Sequence, residues 1–245
     1  MRLNALYIDL LRIDFTCFFT YIPHCTNYHH TLMPQPIPPL ITLAPEGDVL
    51  LDICDSSPAN ENINHRSAQY LVASQVLCAA SPVFSKMFSK ASPFAEAVSL
   101  RDQSRQQPVT VELDDNPGAF QVVLNTLHFR NRHVTKEAPL RTMLAIAKII
   151  DKYHLHEALM LLTNSWQTAA KNMDVPLPEK LIMAWAFRYE ELFTEATSWI
   201  LQRGSWVPGL GLVFQEEGVQ IVLSECLPEC LIGMCYHGLC KSFFS

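Results

Sequence analysis

Pro82 constrains this chain more than any other residue, because it interrupts an apolar stretch that would otherwise read as one helix. The stretch runs Tyr70-Leu-Val-Ala-Ser-Gln-Val-Leu-Cys-Ala-Ala-Ser-Pro-Val-Phe-Ser-Lys-Met-Phe88. Proline in a helix interior loses a hydrogen bond and clashes with the preceding turn, but its fixed φ costs nothing at a first-turn position. Ser81 is therefore expected to cap a second short helix, with Val83, Phe84, Met87 and Phe88 as its apolar residues. Upstream, Ser74 is the expected cap of a first helix whose Val76, Leu77 and Ala80 share one face. Tyr70, Leu71 and Val72 are β-prone and follow an Asn-rich loop, which predicts a strand. Burying Val76, Leu77, Phe84 and Phe88 is worth roughly 1.5–3 kcal/mol each as an upper bound. A strand leading into two short helices reads as a core hairpin, not a catalytic loop.

The remaining elements follow from pattern. Val49 to Ile53 is an apolar strand, and Ser56 to Arg66 a polar turn region. Val109, Val111 and Leu113 alternate with Thr110, Glu112 and Asp114, as a half-buried strand requires. Asn116-Pro117 caps a helix whose Phe120, Val123, Leu124 and Leu127 recur at helical spacing. Arg130 to Glu137 is a polar turn. Leu140, Met143, Leu144, Ala147 and Ile150 mark the next helix, and Ala158 to Ala169 the one after. Beyond Asp174-Val-Pro-Leu-Pro178 a further helix starts at Pro178 or Glu179, with Leu181, Ala184 and Trp185 on one face. It breaks near Tyr189, and Leu192, Phe193, Ala196, Trp199 and Ile200 resume the period.

Three stretches read as irregular. Pro34 to Pro45 is a proline-rich linker that favours extended polyproline conformation. Lys90 to Gln107 reads as a loop. Six of the eight glycines lie from Gly204 onward, a density that argues for low order there, with one short element at Val219 to Leu223. Within residues 1–32, Leu3 to Ile22 are rich in apolar residues but are broken by Asp9, Arg12 and Asp14, so they make neither a spanning helix nor a secretory signal. Met33 reads as a natural start with residues 1–32 an extension ahead of it, the alternative being a marginal amphipathic helix.

Composition narrows the functional classes. Charged residues make up 17% of the 245 residues and hydrophobic ones 49%, which argues against a disordered chain. The net charge of −6 has the wrong sign for a protein that holds phosphates by electrostatics. Arg130, Arg132 and His133 form the densest basic cluster, which reads as a solvated loop. The sequence has no phosphate-cradling glycine loop and no nucleophile elbow. Asp114-Asp115 reads as turn and cap residues, and His154 and His156 as solvated or capping side chains rather than a metal pair. Cys226, Cys230, Cys235 and Cys240, with His237, supply four soft ligands for a tetrahedral zinc site, though the spacing matches no paired Cys-x2-Cys knuckle. Cys54 and Cys78 read as small buried hydrophobes. Without a secretory signal the thiols are expected to stay reduced, in the cytosol or nucleus.

The Tyr70–Phe88 stretch is similar to the signature of the BTB/POZ family, in which a strand enters an apolar helix ending Ser-Pro-x-Phe. Asp48-Val-Leu-Leu-Asp-Ile53 resembles the strand that opens that core. Val109-Thr-Val-Glu-Leu-Asp-Asp115, the helix around Phe120 to Leu127 and Leu144-Ala-Ile-Ala-Lys-Ile-Ile-Asp-Lys-Tyr153 resemble its later elements in order. One departure is the histidine that many animal BTB domains carry near Ala73, which this chain lacks. The resemblance implies an α+β fold, a small mixed sheet flanked by short helices, over residues 46–171. It places a helical extension at 172–203, between an N-terminal extension and linker (1–45) and a Gly/Cys-rich tail (204–245). It implies a non-enzymatic adaptor or oligomerisation module that binds other proteins, without cofactor, nucleic acid or membrane. Phe94-Ala95-Glu96 resembles the hydrophobic-x-Glu element by which some BTB proteins grip cullin scaffolds, making Phe94 and Glu96 the partner-binding candidates. The alternative from another class is a small zinc-binding regulator acting through the C-terminal cysteines.

Overall fold

The computed structural model describes residues 39–56, 67–89, 91–102, 107–135, 137–216 and 219–223. It is an α+β protein, with eight α-helices among the described residues. The chain divides into a unit spanning residues 36–194 and a second that takes in residues from 195 onward.

The first unit is built on a four-stranded mixed sheet of β1 (Leu40–Thr42), β2 (Val49–Cys54), β3 (Ser67–Val72) and β4 (Val109–Asp114), in the order β1-β3-β2-β4. β2 and β3 run antiparallel, whereas β4 lies parallel to β2 and β1 parallel to β3. The alternation in each strand delivers its buried residues to one face. Register then sets them in rows: Val72–Val49–Val109, Tyr70–Leu51–Val111 and Ala68–Ile53–Leu113. A one-residue slip would turn every one of these side chains to the opposite face, so the pattern fixes the pairing.

Helices α1 (Ser74–Ala80) and α2 (Pro82–Phe88) follow β3 directly. Pro82 sits in the first turn of α2, and the Ser81 hydroxyl accepts from Phe84 N at 3.0 Å, as the sequence leads one to expect. The same hydroxyl donates to the Tyr153 carbonyl at 2.6 Å, so one small side chain both caps α2 and ties it to a distant helix. Ser74 differs from its expected role. Ala73 is the N-cap and contributes no side-chain bond, while Ser74 donates its N–H and hydroxyl to the two Asp48 oxygens at 2.7 and 2.6 Å. A carboxylate 26 residues upstream thus satisfies both donors of Ser74 at the start of this helix.

Next come α3 (Ala95–Arg101), α4 (Pro117–Leu127), a 3-10 turn at Asn131–His133, α5 (Leu140–Tyr153), α6 (Met160–Asn172), α7 (Leu177–Ala186) and α8 (Glu190–Arg203). Asn116 caps α4 by accepting from Ala119 N at 2.9 Å, with Pro117 in the first turn. Tyr153 is where the core converges. Its ring stacks on Phe84 at 4.7 Å and meets Phe120 edge-on at 5.5 Å, joining α2, α4 and α5. Around α6 and α7, fully buried Trp166 packs against Phe187 at 6.3 Å, Phe187 meets Tyr189 at 5.5 Å, and the Tyr189 hydroxyl donates to the Thr163 carbonyl.

Two stretches of the first unit depart from expectation. Within the proline-rich linker, Leu40-Ile41-Thr42 is free of proline and keeps its N–H groups, so it joins the sheet as β1. Within the expected loop, Ala95 to Arg101 holds helix formers around fully buried Ala97 and contains no glycine or proline, so it folds as α3.

The second unit holds an antiparallel sheet of β5 (Ser205–Val207), β6 (Gly211–Glu216) and β7 (Val219–Val222), in that order. The sequence led to an expectation of low order here, with one element near β7. Gly209 (φ 87°) and Gly211 (φ 83°) instead shape the β5–β6 turn, which Leu210 N closes on the Val207 carbonyl at 3.1 Å. Glycine density marks turns here. Leu212, Val213, Phe214 and Leu223 are buried.

Candidate partner-binding surface

Helix α3 presents the candidate pair Phe94 and Glu96. Its one fully buried residue, Ala97, holds the helix where it packs on α2 and β4. Phe94 is the N-cap residue, its N–H bonded to the Ser92 hydroxyl at 3.3 Å and its carbonyl accepting from Val98 N at 3.0 Å. Buried Ser92 therefore fixes where the chain enters the helix. The Phe94 ring is 45% exposed and Val98, four residues on and on the same face, is 51% exposed. Glu96 lies in the first turn, where the helix dipole favours a carboxylate. The sequence put Glu96 in an unordered loop; the helix instead holds Phe94, Glu96 and Val98 in one fixed arrangement. Val98 is not legible as a surface residue from the sequence pattern, because its place beside Phe94 depends on the helix.

The paired carboxylates Asp114 and Asp115 do not face one another as a catalytic dyad. Asp114 accepts from Ser56 N at 3.0 Å and Ser56 Oγ at 2.5 Å. Burial pushes its pKa up, but the Ser56 hydrogen bonds and Lys152 outweigh this and hold it below the usual range. Asp115 accepts from Tyr153 Oη at 2.6 Å and Lys152 Nζ at 2.9 Å. Burial dominates there, and its pKa rises despite both donors. The Asp115 group locks the end of α5 to the start of α4. Tyr153→Phe, which deletes one donor to a buried carboxylate, is expected to cost about 1–3 kcal/mol in a urea melt.

His154 and His156 have different roles. His154 is the left-handed residue that ends α5, at φ 52°, and its ring lies 6.4 Å from that of His156. His156 Nε2 is buried without a hydrogen-bond partner, as is Trp166 Nε1. Burial, then the charges of Arg188 and His154, push the His156 pKa down to about 4, so the ring is neutral at pH 7. Asp151 nearby accepts from Trp185 Nε1 at 3.0 Å, and burial raises its pKa. Among the described residues no cluster of three His, Cys, Asp or Glu side chains is arranged to hold a metal. Cys226, Cys230, Cys235, Cys240 and His237 lie outside the described residues.

Of the basic cluster, Arg130 donates to the Thr42 carbonyl of β1 at 2.7 Å, whereas Arg132 and His133 are exposed in the 3-10 turn. Their neighbour Phe129 lies just past the end of α4. It is 85% exposed.

No protein-family model matches the chain, and no curated protein matches it in sequence. Among the described residues no helix is long and apolar enough to cross a membrane.

Proposed function

We propose that this chain is a non-enzymatic protein-interaction module of the BTB/POZ type, an adaptor or oligomerisation unit that docks a cullin scaffold through α3. The observation that carries the reading is the Phe94–Glu96–Val98 arrangement: an apolar ridge and a carboxylate on a helix held in place by buried Ala97. Such a ridge loses little entropy on docking, since the helix is already ordered. The BTB assignment is supported by a strand that leads into two short helices separated by a single serine, beside a hairpin with a parallel third strand. The partners are proteins, in the cytosol or nucleus, and the function needs no cofactor, nucleic acid or membrane.

Phe94→Ala tests the docking site. A desolvated aromatic anchor is worth about 2 kcal/mol or more on truncation, which is a loss of roughly 30-fold in affinity. Because the ring is half out of the fold, the melting temperature should move by only a degree or two. Co-purification of a cullin scaffold with the wild type, lost in Phe94→Ala at unchanged stability, is the expected result. If the wild type captures no cullin, or Phe94→Ala unfolds the protein, this docking site is wrong and only a general interaction module remains.

A further inference from the structure

Helix α4 ends in a turn that Phe129 is poorly suited to make. The Phe129 N–H bonds the Thr126 carbonyl at 3.1 Å and the Arg130 N–H bonds the Asn125 carbonyl at 2.8 Å, the two closures of a Schellman turn. The residue that reverses the chain is Phe129, at φ 59°. Glycine is the usual occupant of that left-handed position, and a bulky side chain there is strained. The ring recovers nothing inside the fold, since it is 85% exposed. Strain and an exposed aromatic at one residue are two unfavourable terms that contacts among the described residues do not offset.

The surroundings indicate what the ring is for. Arg130 reaches the Thr42 carbonyl at 2.7 Å, which sets this turn against β1. β1 is an edge strand, and among the described residues no strand lies on its outer side. Gln69 N bonds the Pro39 carbonyl and Leu43 N bonds the Leu71 carbonyl, so the odd-numbered residues of this segment face β3. The N–H and carbonyl of Leu40 and the N–H of Thr42 therefore face outward, while the outward Thr42 carbonyl is already bonded to Arg130. The Leu40 side chain is itself 58% exposed. Residues 128–135 carry Arg130, Arg132 and His133 and no carboxylate, on a chain whose net charge is −6.

We propose that β1 and the Phe129–His133 turn form a docking site for a short, extended, acidic peptide segment of a partner protein. The segment adds to the outer edge of β1 beside Leu40, seats an apolar side chain on Phe129 and pairs its carboxylates with exposed Arg132, next to the Arg130 that holds the turn to Thr42. Main-chain bonds supply affinity and the side-chain contacts supply selectivity in this mode of recognition. A nucleic acid would also find the cations, but the acidic remainder of the chain repels a polyanion and an open strand edge offers it nothing. The site is separate from α3 and does not depend on the cullin reading.

Selection of a random-peptide display library on the full chain tests this. Enriched peptides should hold an apolar residue flanked by Asp or Glu, and should bind more weakly as salt is raised. Phe129→Gly suits the left-handed turn, so its melting temperature should hold or rise while peptide affinity falls about 10-fold or more. Arg132→Glu should weaken the same peptides, and Phe94→Ala should leave them unchanged. Recovery of no peptides, of peptides without acidic residues, or of peptides that bind Phe129→Gly as tightly as the wild type would overturn the proposal. So would a dimer in sedimentation that dissociates in Phe129→Gly, since a second copy would then cover the patch.

Discussion

Phe84→Ala is expected to lower the unfolding free energy by about 3–5 kcal/mol, the range for truncating a buried aromatic. Phe84 is fully buried, stacked on Tyr153 at 4.7 Å and on Phe88 at 5.9 Å. Removing the ring deletes both aromatic contacts and leaves a cavity between α2 and α5. These helices cannot collapse into it freely, because the Ser81 hydroxyl holds the start of α2 to the Tyr153 carbonyl. Against a total stability of about 5–15 kcal/mol for a typical domain, that loss is large. Phe84→Leu keeps most of the volume and should cost under half as much. Equilibrium urea melts of both variants decide the matter. A cost below about 1 kcal/mol for alanine would mean that α2 does not pack as described.

Phe84 was legible from sequence for a physical reason: Pro82 fixes where the second helix starts, and the apolar spacing of Phe84 and Phe88 after it turns that face inward. The same holds for the sheet, where strict alternation in Val109–Asp114 leaves one way to face the core. Features that depend on distant partners were not legible. Ser74 looks like a cap by its type, but Asp48 decides otherwise from another strand. β1 was hidden because proline dominates the composition around a proline-free triplet. The β5–β6 turn was hidden because glycine counts the same whether it loosens a chain or reverses it. The candidate sites divide likewise. Phe94 and Glu96 were readable as a triplet, while Val98 and Phe129 became visible only once α3 and the end of α4 were in place.

His156 sets the expected response to acid. Its folded pKa of about 4 lies below the ordinary 6.5, so the unfolded chain binds the proton first as pH falls. The stability it contributes is fully present above pH 6.5 and is lost as pH drops toward 4. At about 1.4 kcal/mol per pKa unit, and allowing for partial exposure, the loss is about 2–3 kcal/mol. His128 acts in the same direction. Burial lowers its pKa, and its ring is held neutral between the Leu124 carbonyl at 2.9 Å and the Ala73 N–H at 3.3 Å. Protonation would set two donors face to face at Ala73. Asp115 and Asp151 have raised folded pKa values, so each costs stability once pH rises above the ordinary 3.8, and the lower end of the window recovers some of that. Asp114 has the opposite shift and loses its contribution as pH falls below 3.8. Stability measured by urea at half-unit steps from pH 7 to 4.5 should therefore fall steadily. His156→Leu should flatten that slope by nearly one proton's worth, while His128→Gln should flatten it less. If His156→Leu keeps the parent slope, the imidazole already takes up its proton in the folded state. The Nε2 atom would then be solvated, and the packing of the α5–α6 connection would need revision.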